Sequence, residues 1–257
     1  MPRSLLLLPL IILVACAAPD AGNVRIVGHG GLGASSAYPM NSREALLGGL
    51  ALGIAGVEMD VQLTADSVLV AYHDQDLGER TGCTGLINSK TWAQLAQCPN
   101  TGDAGNPYPL VRLDSLLSHT AMEHPSADFT LDCKLFAAGD WWTYLHAFAQ
   151  ALGTLNADPA IRGRLIVECQ VDDFLGLLRE QRDLPYFLYA TELPGDIDRA
   201  MQLGCAGLTA DNAVITGAQV QLAHGLGLQI ALFGTSGSRG HRNALAKNPD
   251  RLQTDAP

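Results

Sequence analysis

Short apolar runs alternate along the chain with longer stretches in which apolar residues recur three and four positions apart. The first pattern predicts buried strands and the second predicts amphipathic helices, because side chains repeat every two residues along a strand and about every 3.6 residues along a helix. The runs predict eight strands: Arg25–Gly28, Val57–Leu63, Phe129–Leu135, Leu165–Gln170, Tyr186–Ala190, Ala206–Thr209, Leu228–Phe233 and Arg251–Asp255.

Helices are predicted in the intervals between these strands. Ser42 is placed to cap the first helix, and Glu44 lies in its first turn, where a negative charge is favourable. Strands that alternate with helices indicate an α/β fold, and eight such strands predict a TIM (β/α)8 barrel. Because the chain stops directly after the last predicted strand, we expect the barrel to lack the last helix. The predicted helices lie near Ser42–Gly53, Leu113–His119, Trp141–Leu152, Asp172–Arg182, Gly195–Leu203, Gly217–His224 and His241–Lys247.

One segment departs from this alternation. Val68–His73 predicts a further strand that pairs with Val57–Leu63 through a turn at Ala65–Ser67. Residues 78–110 are rich in Gly, Asn and Thr, so we interpret them as a short insertion in the barrel, with a short helix near Ser89–Gln97.

The N-terminus predicts a targeting segment. Arg3 supplies a positive charge, Leu5–Val14 is apolar but too short to span a bilayer, and the residues up to Cys16 resemble a bacterial lipobox. We expect a signal peptide over 1–15, a lipidated linker over 16–23 that begins at Cys16, and one barrel domain over 24–257. This predicts a lipid-anchored, extracytoplasmic protein of the bacterial cell envelope, on the periplasmic face or in the outer membrane. An ordinary secretory signal with an incidental cysteine is the alternative.

Charge and cysteine content narrow the function classes. The net charge of −10 argues against a nucleic-acid partner, which would favour a basic surface. Export permits disulfides, and Cys83 and Cys98 flank one loop-like stretch, so we expect them to pair. The other three cysteines, Cys133, Cys169 and Cys205, lie in or beside apolar runs and are expected to be buried thiols.

Carboxylates on predicted strands form the first candidate site. Glu58 and Asp60 are two residues apart and therefore project to the same face of one strand. Two buried acids need a cation between them, and no Lys or Arg lies within ten residues of either. Carboxylate oxygens favour Mg²⁺ or Ca²⁺. Asp132 could complete this metal site and Lys134 could bind a phosphate oxygen, although the last two could instead pair with each other. Salt-bridged structural acids are the alternative for the first pair.

Histidines form the second candidate feature. His29 follows the first predicted strand and precedes Gly30 and Gly31, and His73 ends the segment that pairs with the second strand. We expect both histidines at barrel-strand ends, and two histidines there beside three acids suit a general acid and a general base near neutral pH. The remaining histidines fall in loops or helices and receive no role.

The arrangement resembles the glycerophosphodiester phosphodiesterase family. The family pattern runs from a first-strand His-Arg-Gly through Pro-Glu-Asn to Glu-x-Asp, then to His-Asp, and later to Glu-x-Lys and a final Thr-Asp-x-Pro. The matching residues are His29–Gly31, Pro39–Ser42, Gly53–Asp66, Val70–Asp74, Asp132–Lys134 and Thr254–Pro257. The likeness runs from about residue 25 to the end, and the block from Gly53 to Asp74 is its most specific part.

The resemblance implies site roles. It makes His29 and His73 catalytic, places the metal on Glu58, Asp60 and Asp132, and gives Lys134 to the phosphate. The chemistry implied is metal-assisted cleavage of a phosphodiester.

Several positions depart from the family pattern. Gly30 replaces an arginine, Met40 replaces a glutamate, and Asp132 is shorter than the usual glutamate. The first two changes together indicate a coordinated variant. Residues 78–110 are expected to cover the substrate. Phe233 stands where the family often has a pocket-lining tryptophan, and an ordinary core phenylalanine is the alternative.

The resemblance therefore implies metal-dependent hydrolysis of glycerophosphodiesters to an alcohol and glycerol 3-phosphate. One alternative is phospholipase-D-like cleavage of lysophospholipids, and another is a lipoprotein that binds a phosphodiester without cleaving it. The pair of histidines favours an enzyme, because binding alone needs no acid and base. The expected partners are a small-molecule phosphodiester and a membrane reached through Cys16, with no nucleic acid; the sequence makes no prediction of the oligomeric state.

Overall fold

The computed structural model describes residues 24–101, 107–181 and 183–257. The predicted signal peptide and the linker that begins at Cys16 lie outside the described residues. The strands are β1 (Arg25–Gly28), β2 (Gly56–Leu63), β3 (Leu69–Ala71), β4 (Val111–Arg112), β5 (Asp128–Cys133), β6 (Leu165–Cys169), β7 (Tyr186–Ala190), β8 (Gly207–Asp211), β9 (Gln229–Thr235) and β10 (Arg251–Thr254). The α-helices are α1 (Arg43–Ala51), α2 (Trp92–Leu95), α3 (Leu113–Glu123), α4 (Trp141–Asn156), α5 (Asp172–Leu178), α6 (Gly195–Leu203), α7 (Gly217–Gly225) and α8 (Gly237–Leu245).

Eight of the strands close a parallel barrel. Their order around the ring is β1, β2, β5, β6, β7, β8, β9 and β10, and β10 pairs back to β1. Helix α1 follows β1, and α3 to α8 follow the next six barrel strands in turn. The residues after β10, Asp255–Pro257, form no helix. The predicted TIM barrel is confirmed.

Strand β2 shows how the sequence pattern builds the site. Val57 and Met59 belong to the main apolar core that the helices complete, whereas Glu58 and Asp60 alternate with them and face the opposite way, into the ring. Parallel pairing with β5 places Asp60 level with Asp132. The barrel therefore brings carboxylates from two neighbouring strands to one height.

The connection from β1 to α1, residues 29–42, is held tightly against the barrel. Ser42 caps α1 as predicted, because its hydroxyl accepts a hydrogen bond from the Ala45 N–H at 3.2 Å. Gly31 has a φ of 95°, and a Cβ there would lie 2.4 Å from the Ala45 backbone. Only glycine suits this position, so the chain can turn back beside the barrel mouth immediately after His29.

A cap segment, defined here as residues 64–101 and 107–112, leaves the barrel after β2. Strand β3 pairs antiparallel with β2, as predicted, and β4 adds to β3, so both lie outside the ring. The cap has its own apolar cluster, made by Val70, Tyr72, Leu77, Ile87, Leu95, Cys98 and Leu110. A disulfide joins Cys83 to Cys98 with an S–S distance of 2.04 Å. The cap is thus a small second core attached to the barrel wall.

Some element boundaries differ from the predictions. The single helix expected near Ser89–Gln97 is instead a 3₁₀ turn at Ile87–Ser89 followed by α2, because Lys90 is extended and Thr91 caps a new helix with Gln94. Helix α8 begins at Gly237 rather than at His241, since glycines hide its first turn from a propensity argument. Among the residues that the structure describes, no helix is both long and apolar enough to cross a membrane.

Candidate active site

Three carboxylates cluster inside the mouth of the barrel. Glu58, Asp60 and Asp132 each offer one oxygen, and these oxygens all lie within 4.8 Å of one another. Glu58 and Asp60 are 2% and 1% exposed, so their charges are almost fully removed from water. A set of buried carboxylate oxygens at this spacing fits a hard divalent cation.

Three hydrogen bonds with Gly30 and Asn41 orient the acids on β2. The Gly30 N–H donates to Glu58 Oε2 at 2.8 Å. The Asn41 side chain donates to Asp60 Oδ2 at 2.7 Å, and its carbonyl accepts from the Asp60 N–H at 2.9 Å. The β1–α1 connection therefore fixes both carboxylates from one side.

Lys134 lies among the same acids. Its Nζ is 2.6 Å from Asp132 Oδ2 and 3.1 Å from Asp60 Oδ1. Burial would lower the pKa of Lys134, but the charges of Asp132 and Asp60 raise it above its usual value. The sequence left two roles open for Lys134, and the ion pair with Asp132 is the contact observed, which keeps the ammonium beside the carboxylates.

The carboxylates repel one another as well as losing water. Burial first, and then the charge of Asp60, raise the pKa of Glu58 well above its ordinary value. Burial also raises the pKa of Asp132, against the opposing charge of Lys134. The ammonium of Lys134 can balance one of the three acids, and His29, which is 3.9 Å from Glu58, is closer to Asp255 at 2.8 Å. The remaining negative charge suits a divalent ion held by Glu58, Asp60 and Asp132.

His29 lies at the end of β1 with a carboxylate partner. Its Nδ1 is 2.8 Å from Asp255 Oδ1, and its Nε2 is 3.9 Å from Glu58 Oε2. Burial would lower the pKa of His29, but the hydrogen bond to Asp255 and the nearby charges of Glu58 and Asp60 raise it to about 9. His29 is therefore mainly protonated near neutral pH, with Nδ1 donating to Asp255 and Nε2 carrying a proton.

His73 has a similar partner but a different origin. It follows β3, which lies outside the barrel ring, so the prediction that it ends a barrel strand is corrected: it reaches the site from the cap segment. Its Nδ1 donates to Asp74 Oδ1 at 2.7 Å, and the Arg80 Nε donates to Asp74 Oδ2 at 3.1 Å. The histidine side chain is 61% exposed. Asp74 thus orients an accessible imidazole whose Nε2 is left for chemistry.

One cavity of about 380 Å³ joins these groups. Its lining includes both histidines and Asp60, together with residues of the β1–α1 connection and of the cap segment. A small molecule in this cavity would contact both imidazoles and an acid of the carboxylate cluster.

Phe233 is placed differently from the cavity-lining residues. It is half-buried and stacks on Tyr189, with ring centroids 5.2 Å apart, at the ends of β9 and β7. It does not line the cavity that contains the histidines. Its substrate contact therefore stays a prediction.

Sequence reasoning missed the residues that orient the site. Asp255 belongs to the final Thr-Asp-x-Pro match of the family pattern, and Asn41 belongs to the match of Pro-Glu-Asn. Neither residue receives a role from the sequence. A signal existed for Asp255, because an acid that directly follows the last strand of a barrel lies at the same mouth as the residue after the first strand. Asn41 has a φ of 67°, a conformation that side chains other than Gly, Asn and Asp rarely adopt.

Comparison with known proteins decides the family. The model of the glycerophosphoryl diester phosphodiesterase family matches residues 32–257. The chain belongs to this family. His29 and Gly30 precede the matched residues, whereas the other site residues lie within them.

Two curated members of the glycerophosphoryl diester phosphodiesterase family show the extent of similarity. A "Probable glycerophosphodiester phosphodiesterase 1" of Mycobacterium tuberculosis is 40% identical over 146 residues, which cover 57% of this chain and 49% of that protein. A "Glycerophosphodiester phosphodiesterase" of Bacillus altitudinis is 37% identical over 71 residues, which cover 28% of this chain and 27% of that protein. The matches thus span about half of these relatives or less.

Solved structures of this family share the fold. A glycerophosphodiester phosphodiesterase from Parabacteroides distasonis superposes with a TM-score of 0.75 at 21% identity, covering 91% of this chain and 93% of the other. A phosphodiesterase from Oleispira antarctica, in complex with the product sn-glycerol-3-phosphate, gives a TM-score of 0.78 at 19% identity, covering 92% and 94%. At these identities the likeness establishes the barrel of the glycerophosphoryl diester phosphodiesterase family and nothing finer.

Proposed function

We propose that this protein hydrolyses glycerophosphodiesters to an alcohol and glycerol 3-phosphate. The observation that carries the proposal is the pair of histidines, each oriented by its own carboxylate, that border one cavity with Asp60 of the carboxylate cluster. Family membership supports a phosphodiester substrate. The product complex of the Oleispira antarctica phosphodiesterase supports glycerol 3-phosphate as the product.

A divalent cation, Mg²⁺ or Ca²⁺, would be held by Glu58, Asp60 and Asp132. When bound, it would act as a Lewis acid that polarises the phosphoryl group and assists the attacking oxygen. Lys134, next to these acids, is positioned to add a positive charge near the phosphate. Arg80, which lines the same cavity, adds a guanidinium on the side of the cap segment.

The two histidines divide the proton transfers. His29 is mainly protonated near neutral pH, so its Nε2 gives a proton to the oxygen of the leaving alcohol. His73, whose Nδ1 is engaged by Asp74, takes a proton at Nε2 from the attacking oxygen. The attacking oxygen belongs to a water or to a hydroxyl of the substrate next to the diester. In either case a P–O bond to the attacking oxygen forms and the P–O bond to the alcohol breaks, while His73 takes one proton and His29 gives one. If the attacker is the hydroxyl of the substrate, this step yields a cyclic phosphodiester, and a water must then open the ring to give glycerol 3-phosphate.

The test is the release of glycerol 3-phosphate from glycerophosphocholine and glycerophosphoethanolamine, with Mg²⁺ or Ca²⁺ and with a chelator. His119 supplies a matched control, because its side chain is 61% exposed like that of His73 but lies on α3. We expect His73→Ala to lower kcat by about 10²–10⁴-fold, as loss of a general base does, and His119→Ala to have no effect. Metal-dependent binding of the diester without turnover would instead support a non-catalytic binding protein.

We further propose that the mature chain is anchored to a membrane of the bacterial cell envelope through lipidated Cys16. The support is the lipobox-like sequence before Cys16 and the disulfide between Cys83 and Cys98, because stable disulfides are rare in the cytosol. Labelling of intact cells with a radioactive fatty acid tests this. The wild-type protein should carry label and a Cys16→Ser variant should not; equal labelling of both would contradict the anchor.

A further inference from the structure

Gly30 and Met40 form a packed pair beside His29. A Cβ at residue 30 would lie 2.6 Å from both the Cβ and the Cε of Met40. The backbone there is fixed, because the Asn41 N–H donates to the Gly30 carbonyl at 3.0 Å and the Gly30 N–H donates to Glu58. The thioether therefore occupies the space that a side chain at residue 30 would need, and the two residues act as one unit.

Met40 of this pair belongs to an uncharged wall of the cavity. The wall, which we call the loop wall, belongs to the β1–α1 connection and consists of Ala34, Ala37, Tyr38, Pro39 and Met40. Two polar residues of the same connection, Ser36 and Asn41, also line the cavity. The Tyr38 ring packs edge-on against Tyr108 of the cap segment, with centroids 6.2 Å apart, and the residue is still 42% exposed. The wall therefore leaves aromatic and aliphatic surface open inside the cavity.

Apart from His29, which begins the β1–α1 connection, the charged groups of the same cavity come from other segments. His73, Asp74 and Arg80 contribute from the cap segment, while Asp60 contributes from β2. A phosphodiester placed against the histidines would thus have polar groups near its phosphate and apolar surface along the loop wall. Water against such apolar surface is displaced favourably by hydrocarbon, whereas a charged substituent would lose hydration there.

We propose that the loop wall, floored by the Gly30–Met40 pair, selects phosphodiesters in which one ester arm carries a hydrocarbon chain. This rests on the proposed function, since it names the substrate class of the same cavity. Each methylene buried fully contributes about 0.8 kcal/mol, which is about fourfold in affinity. Because the loop wall would cover only one side of the hydrocarbon chain, we expect the affinity to rise about twofold per methylene.

Binding of an n-alkyl phosphate series tests the wall without requiring turnover. We would titrate ethyl, butyl and hexyl phosphate into the full chain with Mg²⁺, using calorimetry. The Kd should fall by about 16-fold from ethyl to hexyl phosphate, twofold for each of the four added methylenes. Met40→Gln should flatten this trend, and Met40→Leu should preserve it. Met201→Gln is the matched control, because Met201 is 46% exposed on α6 and away from the cavity.

Two results would overturn the inference: a Kd that does not depend on chain length, or a length dependence that Met40→Gln leaves intact. If Met40→Gln does not fold, Tyr38→Ser on the exposed rim of the wall replaces it, with the same expectation. Turnover of glycerophosphocholine is measured separately. If turnover is absent but Kd still depends on chain length, the proposed hydrolysis is wrong and the proposed selectivity of the loop wall stands. If turnover occurs but Kd does not depend on chain length, the proposed hydrolysis stands and the selectivity of the loop wall is wrong.

A second experiment asks which ester arm of the substrate carries the hydrocarbon chain that contacts the loop wall. Glycerophosphohexanol carries hydrocarbon on the leaving alcohol, and hexanoyl lysophosphatidylcholine carries it on the glycerol. The substrate whose kcat/KM falls in Met40→Gln, relative to glycerophosphocholine, identifies the arm that lies on the loop wall. A fall for neither substrate would contradict the proposal.

Discussion

Asn41 joins the β1–α1 connection to Asp60 through two hydrogen bonds. Replacing Asn41 with alanine measures how much these hydrogen bonds contribute to the free energy of unfolding. Alanine would leave the buried Asp60 N–H and carboxylate each without this partner, which costs about 1–3 kcal/mol per group. The φ of 67° adds about 1 kcal/mol, because alanine is unfavourable in the left-handed region that Asn tolerates. We therefore expect Asn41→Ala to lower the free energy of unfolding by about 3–7 kcal/mol.

Asn248 provides the control for the backbone contribution. It has a φ of 59°, and its side chain is exposed. Asn248→Ala should therefore cost only about 1 kcal/mol. Urea unfolding followed by circular dichroism at neutral pH gives both free energies. Equal losses for the two variants would refute the reasoning, since the left-handed backbone alone would then explain the effect at Asn41.

Three further predictions concern charge, covalent linkage and metal. The pKa of His29 is raised to about 9 from 6.5 and that of Asp255 is lowered, so their pair stabilises the fold fully between about pH 4 and 6.5, and loses this as pH rises through 9 or falls below 4. Asp255→Asn should thus be most destabilising near pH 5.5 and nearly neutral above pH 9 in urea unfolding; a constant difference across pH would contradict the pair. The double variant of Cys83→Ser and Cys98→Ser should lose about 3 kcal/mol of unfolding free energy, because the disulfide closes a loop of 15 residues, and reductant should affect the wild type only. Asp132→Asn should weaken binding of Mg²⁺ or Ca²⁺ by at least about tenfold, read as a smaller metal-induced rise in Tm; an unchanged rise would remove Asp132 from the metal site.

The barrel and the acids could be predicted because local patterns determine them. The alternation of Glu58 and Asp60 with apolar neighbours fixes their shared face within one strand. The level of Asp132 beside Asp60 follows from the parallel pairing of β2 with β5, once a barrel is assumed. Periodicity and topology were therefore sufficient to bring the carboxylates together.

Contacts between distant parts of the chain could not be predicted in the same way. Asp255 is 226 residues away from His29, and only closure of the ring by β10 makes them hydrogen-bond partners. Gly30 and Met40 were visible as departures from a motif, but their mutual packing depends on the exact path of residues 29–42. The sequence shows that both residues differ from the family pattern. The structure shows that the Met40 side chain occupies the space that a side chain at residue 30 would need.

The helix boundaries within the cap segment also could not be predicted from the local sequence pattern. The helix expected near Ser89–Gln97 is interrupted at Lys90, whose carbonyl accepts a hydrogen bond from the Ala65 N–H. This tertiary contact favours an extended residue over a continuous helix. Helix propensity therefore predicts that this region contains helix, but it does not predict the interruption at Lys90.

The separate core of the cap segment has a thermodynamic consequence. His29 and the carboxylates belong to the barrel, whereas His73 is carried by a smaller unit with its own apolar cluster and disulfide. Units with few buried contacts open at lower free energy than the main core, by local unfolding. Opening of the cap would remove one of the two histidines while the carboxylates stay assembled. The proposed binding of an ion and the proposed cleavage of a diester would therefore depend on different cooperative units of one chain.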